Sequence, residues 1–511
     1  MGRRVRWLGL AMILCFTLVL AQLVNIQFRQ ASALDKKPDN PGNLADRFDN
    51  QRGDILAADG TVLAKSVPST TGSYHYQRVY PTTPNGALPA LFSGVVGYSS
   101  ILYGTSGVEY EYNDYLVPHS QPAQSLSQLL SPPPKTTDNV TLTIQPYLQQ
   151  VAQQAVAQIP DANRDAAVVA LNPRTGAVLA MYSNPNFDPN PLAAPDAKTQ
   201  NAARYVDLTP DGEGFVPLVP LATQDRFFPG STAKVITSSA VYDLKPSLID
   251  FNYPNDPQDA CLKLPNSPKT LCNDGTDLSN STPCGGTMVQ MLPASCDPGY
   301  GALGLQLTGL LTQQAQLFGY NSVPPIDLPS VISSSYPAAD QISGSSQAFA
   351  ALTAIGQYNV QATALQNAMV AAGIANAGVV MTPHVMAQIR QSDGTLVKTY
   401  TPTPYRRAVS AQTAAQVTSL MQSVAISGTA AGIFPSSLNV AVKTGTAQTS
   451  DTAAPSVANV DWMIGFAPAN NPIVAVAVVV PKQNKLSDGA GIAGPIMRAM
   501  LSAALAHGAK P

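Results

Sequence analysis

Ser231-Thr232-Ala233-Lys234 opens the stretch STAKVITSSAVYDL, residues 231 to 244, directly after the turn signal Pro229-Gly230. The stretch reads as a helix. Residues three apart on a helix share a face, with Cβ atoms about 5–6 Å apart, so an amine sits beside a hydroxyl without help from any other element. A serine hydroxyl is a poor nucleophile until a base takes its proton. A lysine becomes such a base when burial or neighbouring positive charge lowers its pKa. One Ser-x-x-Lys is expected by chance in 511 residues, so the pair carries weight only through what accompanies it.

Two further motifs accompany it. Lys443-Thr444-Gly445-Thr446 lies near the end of an apolar strand. A strand edge offers backbone N–H and C=O groups to an extended peptide, Gly445 permits close backbone approach, and Lys443, Thr444 and Thr446 can hold a carboxylate. Ser295-Cys296-Asp297 stands between Pro293 and Pro298-Gly299, at the head of another expected helix. Its meaning comes from order and spacing: 64 residues after Ser231 and 148 before Lys443.

Composition narrows the chemistry. The formal net charge is −2, with no basic footprint for nucleic acid. Charged residues make up 12% of the chain, against roughly 25% in an average soluble protein, so the polar surface must be largely Ser, Thr, Gln and Asn. With 44 prolines and 36 glycines, much of the chain should be loop and turn. The four histidines, His75, His119, His384 and His507, form no H-E-x-x-H, and no Cys/His cluster has zinc-like spacing. This argues against metal hydrolysis and Ser-His-Asp chemistry; no metal or cofactor is expected, and His384 reads as structural.

The amino terminus sets the expected compartment. Met1-Gly2-Arg3-Arg4-Val5-Arg6 is a basic patch, and Trp7 to Val24 is apolar apart from Thr17 and Gln22. Eighteen such residues are just long enough to span a bilayer, and the arginines would stay in the cytoplasm. The reading is a single-pass anchor with everything after it outside the cell membrane; the alternative is a cleaved signal peptide. Cys15 lies in the span. Cys261, Cys272, Cys284 and Cys296 fall in a loop-rich stretch on the outer side, which allows up to two disulfides in three connectivities, or four free thiols.

Four regions follow: residues 1–6 as a cytoplasmic stub, 7–24 as the transmembrane anchor, 25–138 as an amino-terminal pedestal ending in a Pro/Ser/Gln-rich linker (117–137), and 139–511 as the main domain. In the pedestal, Ile55-Leu56 and Thr61 to Ala64 read as a hairpin around Asp59-Gly60. In the main domain, Asn139 to Ile144 alternates like a strand and Gln145 to Ile159 has helical spacing. The runs 166–171 and 177–181 read as a hairpin, a mostly helical middle extends to about Ala415, and strands return at 440–443, 462–466 and 473–480. A helix from Ile492 to Ala506 closes the chain. Strands at both ends with helices between imply an α+β fold: an antiparallel sheet flanked by helical layers, with a smaller β-rich amino-terminal domain and an amino-terminal transmembrane helix.

The three motifs together resemble the penicillin-binding and serine β-lactamase superfamily, whose signature runs S-x-x-K, S-D-N, K-T-G. Asp225 to Ser231 looks like the family's approach to its nucleophile. Asp188-Pro189-Asn190, Ile355-Gly356-Gln357, Asp461-Trp462 and Gly465-Phe466-Ala467-Pro468 are similar to further family patterns. Gln51-Arg52-Gly53, Asp59-Gly60 and Gly107-Val108-Glu109 resemble the amino-terminal domain of class B penicillin-binding proteins. The short pedestal and the tract from Asn40 to Gly53 look most like the actinobacterial members. Nothing before residue 140 is long enough for a glycosyltransferase domain.

The resemblance implies a peptidoglycan D,D-transpeptidase of cell-wall growth, in cell division or cell shape, that cross-links stem peptides through an acyl-enzyme and is blocked by β-lactams. Ser231 would be the nucleophile, Lys234 its base and Ser295 a proton relay; Lys443, Thr444, Gly445 and Thr446 would bind the substrate's carboxylate end. Asp297 departs from the family's usual Asn. An ionised Asp only accepts hydrogen bonds, and its charge beside Lys234 would favour the protonated amine; the change reads as tuning of the site. The same motifs would serve a D,D-carboxypeptidase, a β-lactamase or a β-lactam sensor. The reading from another class is a non-catalytic scaffold of a cell-wall assembly. A membrane glycosyltransferase is the implied partner.

Overall fold

The computed structural model describes residues 2–26, 48–70, 74–119, 136–160, 163–211, 214–256, 260–273, 283–448, 457–484 and 486–508. Most of the expected linker (117–137) and most of the tract from Asn40 to Gly53 lie outside them.

Five strands make the main sheet, in the order Ala441–Gln448, Val457–Ala467, Val474–Asn484, Ala166–Leu171 and Val178–Asn184, and each neighbouring pair is antiparallel. Alternate residues of a strand point to opposite faces. All six residues of Ala166–Leu171 are nevertheless buried, so both faces of the sheet are covered, and the sequence reads as a continuous apolar run. The helices Ala364–Ala375 and Ala493–His507 pack on this sheet, and Ala493–His507 also meets the helix Pro146–Val156. The expected α+β layering is what forms, and the expected strands and closing helix lie within a few residues of their expected bounds.

A second sheet corrects the expectation for the middle of the chain. Its order is Leu396–Thr399, Met386–Gln391, Asp138–Leu142, Ile55–Leu56, Val62–Pro68 and Tyr76–Val79. Asp138–Leu142 runs parallel to Ile55–Leu56 and antiparallel to Met386–Gln391. The boundary expected at 138/139 therefore falls at the head of a strand that stitches the pedestal to residues 386–399. The stretch read as mostly helical contains this hairpin. Leu396–Thr399 is exposed at every position, so no apolar alternation marks it.

The pedestal is organised around one buried carboxylate. Arg52 Nε donates to Glu109 Oε2 at 2.7 Å, Arg78 Nε to Glu109 Oε1 at 2.5 Å, and Tyr80 Oη to Oε1 at 3.3 Å. Arg52 also reaches Glu109 O, and Arg78 reaches Gly53 O. All four side chains are almost fully buried. Burial alone would push the Glu109 carboxyl up; Arg78 and Arg52 outweigh it and hold the group below its ordinary value. A second tie runs from the pedestal into the second sheet, where Asp327 takes the Tyr112 hydroxyl and the N–H groups of Val385 and Met386.

Gly2–Val24 is a helix of 23 residues with Leu14, Phe16, Leu18 and Val19 exposed. Among the described residues, no helix is long and apolar enough to cross a membrane.

Removing one partner from a buried ion pair leaves the other charge uncompensated, which typically costs about 3–5 kcal/mol. Glu109→Ala, which strands two buried guanidiniums, is expected to destabilise the protein by about that amount in urea unfolding. A loss below about 1 kcal/mol would contradict the role given to Glu109.

Candidate active site

The turn carrying Ser231 is wound more tightly than the sequence pattern suggests. Gly230–Ala233 is a single turn of 3-10 helix, and the α-helix proper runs Lys234–Leu244. Gly230 has φ +51°, and a Cβ on it would lie 2.7 Å from Thr446 O. Glycine therefore lets the Ser231 turn lie directly against the strand Ala441–Gln448. From the strand's side, a Cβ on Gly445 would lie 2.8 Å from Pro229 O and 2.9 Å from Thr232 Cγ2. The close approach that Gly445 allows is thus to the Ser231 turn. Trp462 Nε1 donates to Phe228 O at 2.9 Å, tying the next strand to the same turn.

Ser231 is half-buried at this seam. Its carbonyl accepts the Lys234 backbone N–H. The Lys234 side chain is fully buried, and its Nζ donates to Ser295 O at 2.6 Å, to Asp297 Oδ1 at 2.6 Å and to Ser295 Oγ at 3.2 Å. It also lies 5.5 Å from the centre of the Tyr300 ring. Lys443 is equally buried, and its Nζ donates to Ser295 Oγ at 2.9 Å, to Thr444 O at 2.9 Å and to Thr444 Oγ1 at 3.3 Å. Hydrogen bonds therefore join Lys234, Ser295, Asp297, Lys443 and Thr444, residues spread over 211 positions of sequence, around the Ser295 hydroxyl.

Two expectations take a different shape. Lys443 was assigned to the substrate's carboxylate together with the threonines, yet its ammonium is turned inward onto Ser295 and Thr444. Thr446 is half-exposed, and its Oγ1 accepts the Gly489 N–H at 3.1 Å. Asp297, read as a departure, is the counter-ion of Lys234, with 27% of its side chain exposed. Ser295 itself has φ +51°. Such a conformation costs a non-glycine residue about 1–3 kcal/mol and persists only where its surroundings enforce it; Cys296 behind it is bonded to Cys284, and Cys261 to Cys272. Of the three connectivities open in sequence, this is the one formed.

Sequence reasoning missed Thr429. Its Oγ1 lies 2.6 Å from Thr444 Oγ1 and its N–H donates to Pro293 O at 3.0 Å, so it links the second and third motifs. Gly428-Thr429-Ala430 carries no local signal of that role. His384 stacks on Tyr400 within the second sheet's surroundings, and burial lowers its pKa, as suits a structural residue.

Residues 166–502 match the model of the penicillin-binding protein transpeptidase domain, and residues 52–140 match that of the penicillin-binding protein A dimerisation domain. This chain belongs to the penicillin-binding protein transpeptidase family. It is 36% identical to the peptidoglycan D,D-transpeptidase PbpA of Mycolicibacterium smegmatis, over 99% of this chain and 100% of the relative. It is 33% identical to PbpA of Mycobacterium tuberculosis, over 99% of each. A solved structure of penicillin-binding protein A from M. tuberculosis, a ceftriaxone acyl-enzyme complex, superposes with TM-score 0.76 and 32% identity, covering 91% of this chain and 99% of that one.

One buried carboxyl beside the third motif of this transpeptidase-family chain stands apart from the hydrogen-bonded cluster. Asp461 faces Thr446 across the strand pair. Its carboxyl is pushed up to about 7, chiefly by burial; Ser487 opposes the shift and Asp488 adds to it. In the unfolded chain an Asp ionises near pH 3.9. Between about pH 4 and pH 7 the unfolded state therefore loses a proton that the folded state keeps, and stability falls as pH rises, levelling off above 7. Asp461→Asn removes that slope. Relative to wild type, the variant's melting temperature is expected to rise from pH 4 to about pH 7 and to change little above that. A constant difference across that range would contradict the assignment.

Proposed function

We propose that this chain is a serine D,D-transpeptidase that cross-links peptidoglycan stem peptides and is blocked by β-lactams. The observation that carries the reading is the convergence of Lys234 and Lys443 on the Ser295 hydroxyl, beside the turn that presents Ser231. The relatives named PbpA peptidoglycan D,D-transpeptidase and the acyl-enzyme state of the M. tuberculosis structure support it.

In this reading a stem peptide lies as an added strand along Ala441–Gln448, the edge strand of the main sheet. Ser231 Oγ attacks the penultimate D-alanine carbonyl carbon. Its proton passes to Lys234, which must be neutral at that moment, and from there through Ser295 to the nitrogen of the departing D-alanine as the C–N bond breaks. The backbone N–H groups of Ser231 and Thr446 hold the developing oxyanion; such donors typically lower a barrier by about 2.7–4 kcal/mol. The hydroxyls of Thr444 and Thr446 hold the terminal carboxylate, with the Lys443 ammonium behind them. An amine of a second stem peptide then attacks the ester carbon, forming the cross-link and returning Ser231 as the alcohol.

Residues 7–24 act as the membrane anchor and residues 1–6 as its cytoplasmic stub. Residues 25–138 form the pedestal, and residues 139–511 form the transpeptidase domain outside the cell membrane. The basic patch before the apolar run supports this placement, as do the exposed apolar side chains of the Gly2–Val24 helix. The pedestal and anchor are the surfaces for a membrane glycosyltransferase partner.

Labelled penicillin is expected to form a stable ester on wild type, mapped by mass spectrometry to Ser231, and none on Ser231→Ala. Lys443→Ala is expected to slow acylation by at least about tenfold. Wild-type protein that takes no label under conditions that label penicillin-binding protein A of M. tuberculosis would overturn the reading.

A further inference from the structure

We propose that Asn273 is a positioning residue for the second catalytic motif, and that the Cys261–Cys272 cross-link holds it in place. The proposal rests on the reading of Ser231, Lys234, Ser295 and Asp297 given above.

The helix Asp297–Leu307 begins at the carboxylate that pairs with Lys234. The first N–H groups of any helix have no partner within it, and the residue just before usually supplies a capping oxygen. Here that residue is Cys296, whose sulfur is bonded to Cys284 and which makes no side-chain cap. The oxygen comes from 24 residues upstream: Asn273 Oδ1 accepts the Asp297 N–H at 3.0 Å. Asn273 is itself buried, at 3% exposure. A lost acceptor would therefore leave the Asp297 N–H without ready access to water.

Asn273 directly follows a two-stranded hairpin, Cys261–Lys263 with Thr270–Cys272, in which Cys272 faces Cys261 in register. The disulfide Cys261–Cys272 closes the hairpin at the end that carries Asn273. The hairpin's other attachment is apolar: Leu262 and Leu271 seat against Gly301 of the same helix. The second motif is thus restrained on separate sides. Cys284 holds Cys296 covalently, Lys234 holds Ser295 O and Asp297 Oδ1, and Asn273 holds the Asp297 backbone. Ser295, in its left-handed conformation, sits at the centre of these restraints, and such a conformation relaxes when its restraints are removed. Losing the Asn273 contact lets Asp297 turn away from Lys234 and the Ser295 hydroxyl drift from the line between the two ammoniums.

The test uses the full-length protein in detergent, with penicillin G as probe, and separates the acylation rate constant from the preceding binding constant. Asn273→Ala is expected to lower the acylation rate constant about tenfold with the binding constant unchanged. Asn273→Asp keeps an acceptor oxygen and is expected to stay within about twofold of wild type. In an Asp297→Ala background, Asn273→Ala should add little further loss, because it acts through Asp297. A Cys261→Ala/Cys272→Ala variant, which leaves Asn273 in the chain, should fall in the same direction, and it decides the matter should Asn273→Ala fail to fold. Wild-type acylation by Asn273→Ala, failure of Asn273→Asp to rescue, losses additive with Asp297→Ala, or an unimpaired double-cysteine variant would each overturn the proposal. Wild-type protein that takes no penicillin would instead overturn the assignment of Ser231, so the two failures are distinguishable.

Discussion

A buried ammonium is the constraint around which the site is built. Lys234 has no exposed surface, and a charge withdrawn from water costs several kcal/mol unless it is paired and hydrogen-bonded. Ser295 O, Ser295 Oγ and Asp297 Oδ1 supply that compensation. The same contacts fix where Ser295 can be, and a second buried ammonium, Lys443, then meets it from the strand side. The two lysines are kept from repelling each other freely by a carboxylate, two carbonyls and two hydroxyls set around them. The proton path proposed for catalysis is the hydrogen-bonded network that solves this solvation problem.

The fold's task is to bring three distant segments into that network and hold them there. The main sheet offers its edge strand, glycines at 230 and 445 remove the side chains that would keep the Ser231 turn away from it, and Trp462 fastens the turn from the next strand. The second motif is not carried on a strand of the main sheet. It is carried on a loop and the first residues of a helix, and it is restrained by two disulfides, by Asn273 and by Thr429. In the pedestal, Glu109 gathers Arg52, Arg78 and Tyr80 into one buried cluster. The strand Asp138–Leu142 joins the pedestal to residues 386–399.

What could be read from the sequence follows from what is local. Ser231 and Lys234 are three apart, and Lys443-Thr444-Gly445-Thr446 is a contiguous string on an apolar strand, so both announce themselves. Ala166–Leu171 is buried on both faces and runs apolar throughout, and the other main strands each carry an apolar run. The contributions that were missed are non-local. Leu396–Thr399 is fully exposed and owes its strand conformation to pairing with Met386–Gln391. Asn273 and Thr429 reach partners 24 and 15 positions along the chain, and no periodicity records such a contact. The disulfide pairing was one of three because spacing alone does not choose among them; the hairpin register that sets Cys272 opposite Cys261 does. The inward turn of Lys443 was hidden for a similar reason: its partner, the Ser295 hydroxyl, stands 148 positions away.

The pH dependence of the second-order rate of β-lactam acylation, measured for wild type and for Asp297→Asn, tests the central claim most directly. If the buried amine of Lys234 is both the base and the partner of Asp297, removing the carboxylate makes the amine easier to deprotonate. The acid limb of the profile is then predicted to move to lower pH by about one unit or more. Superimposable acid limbs in the two proteins would contradict the account.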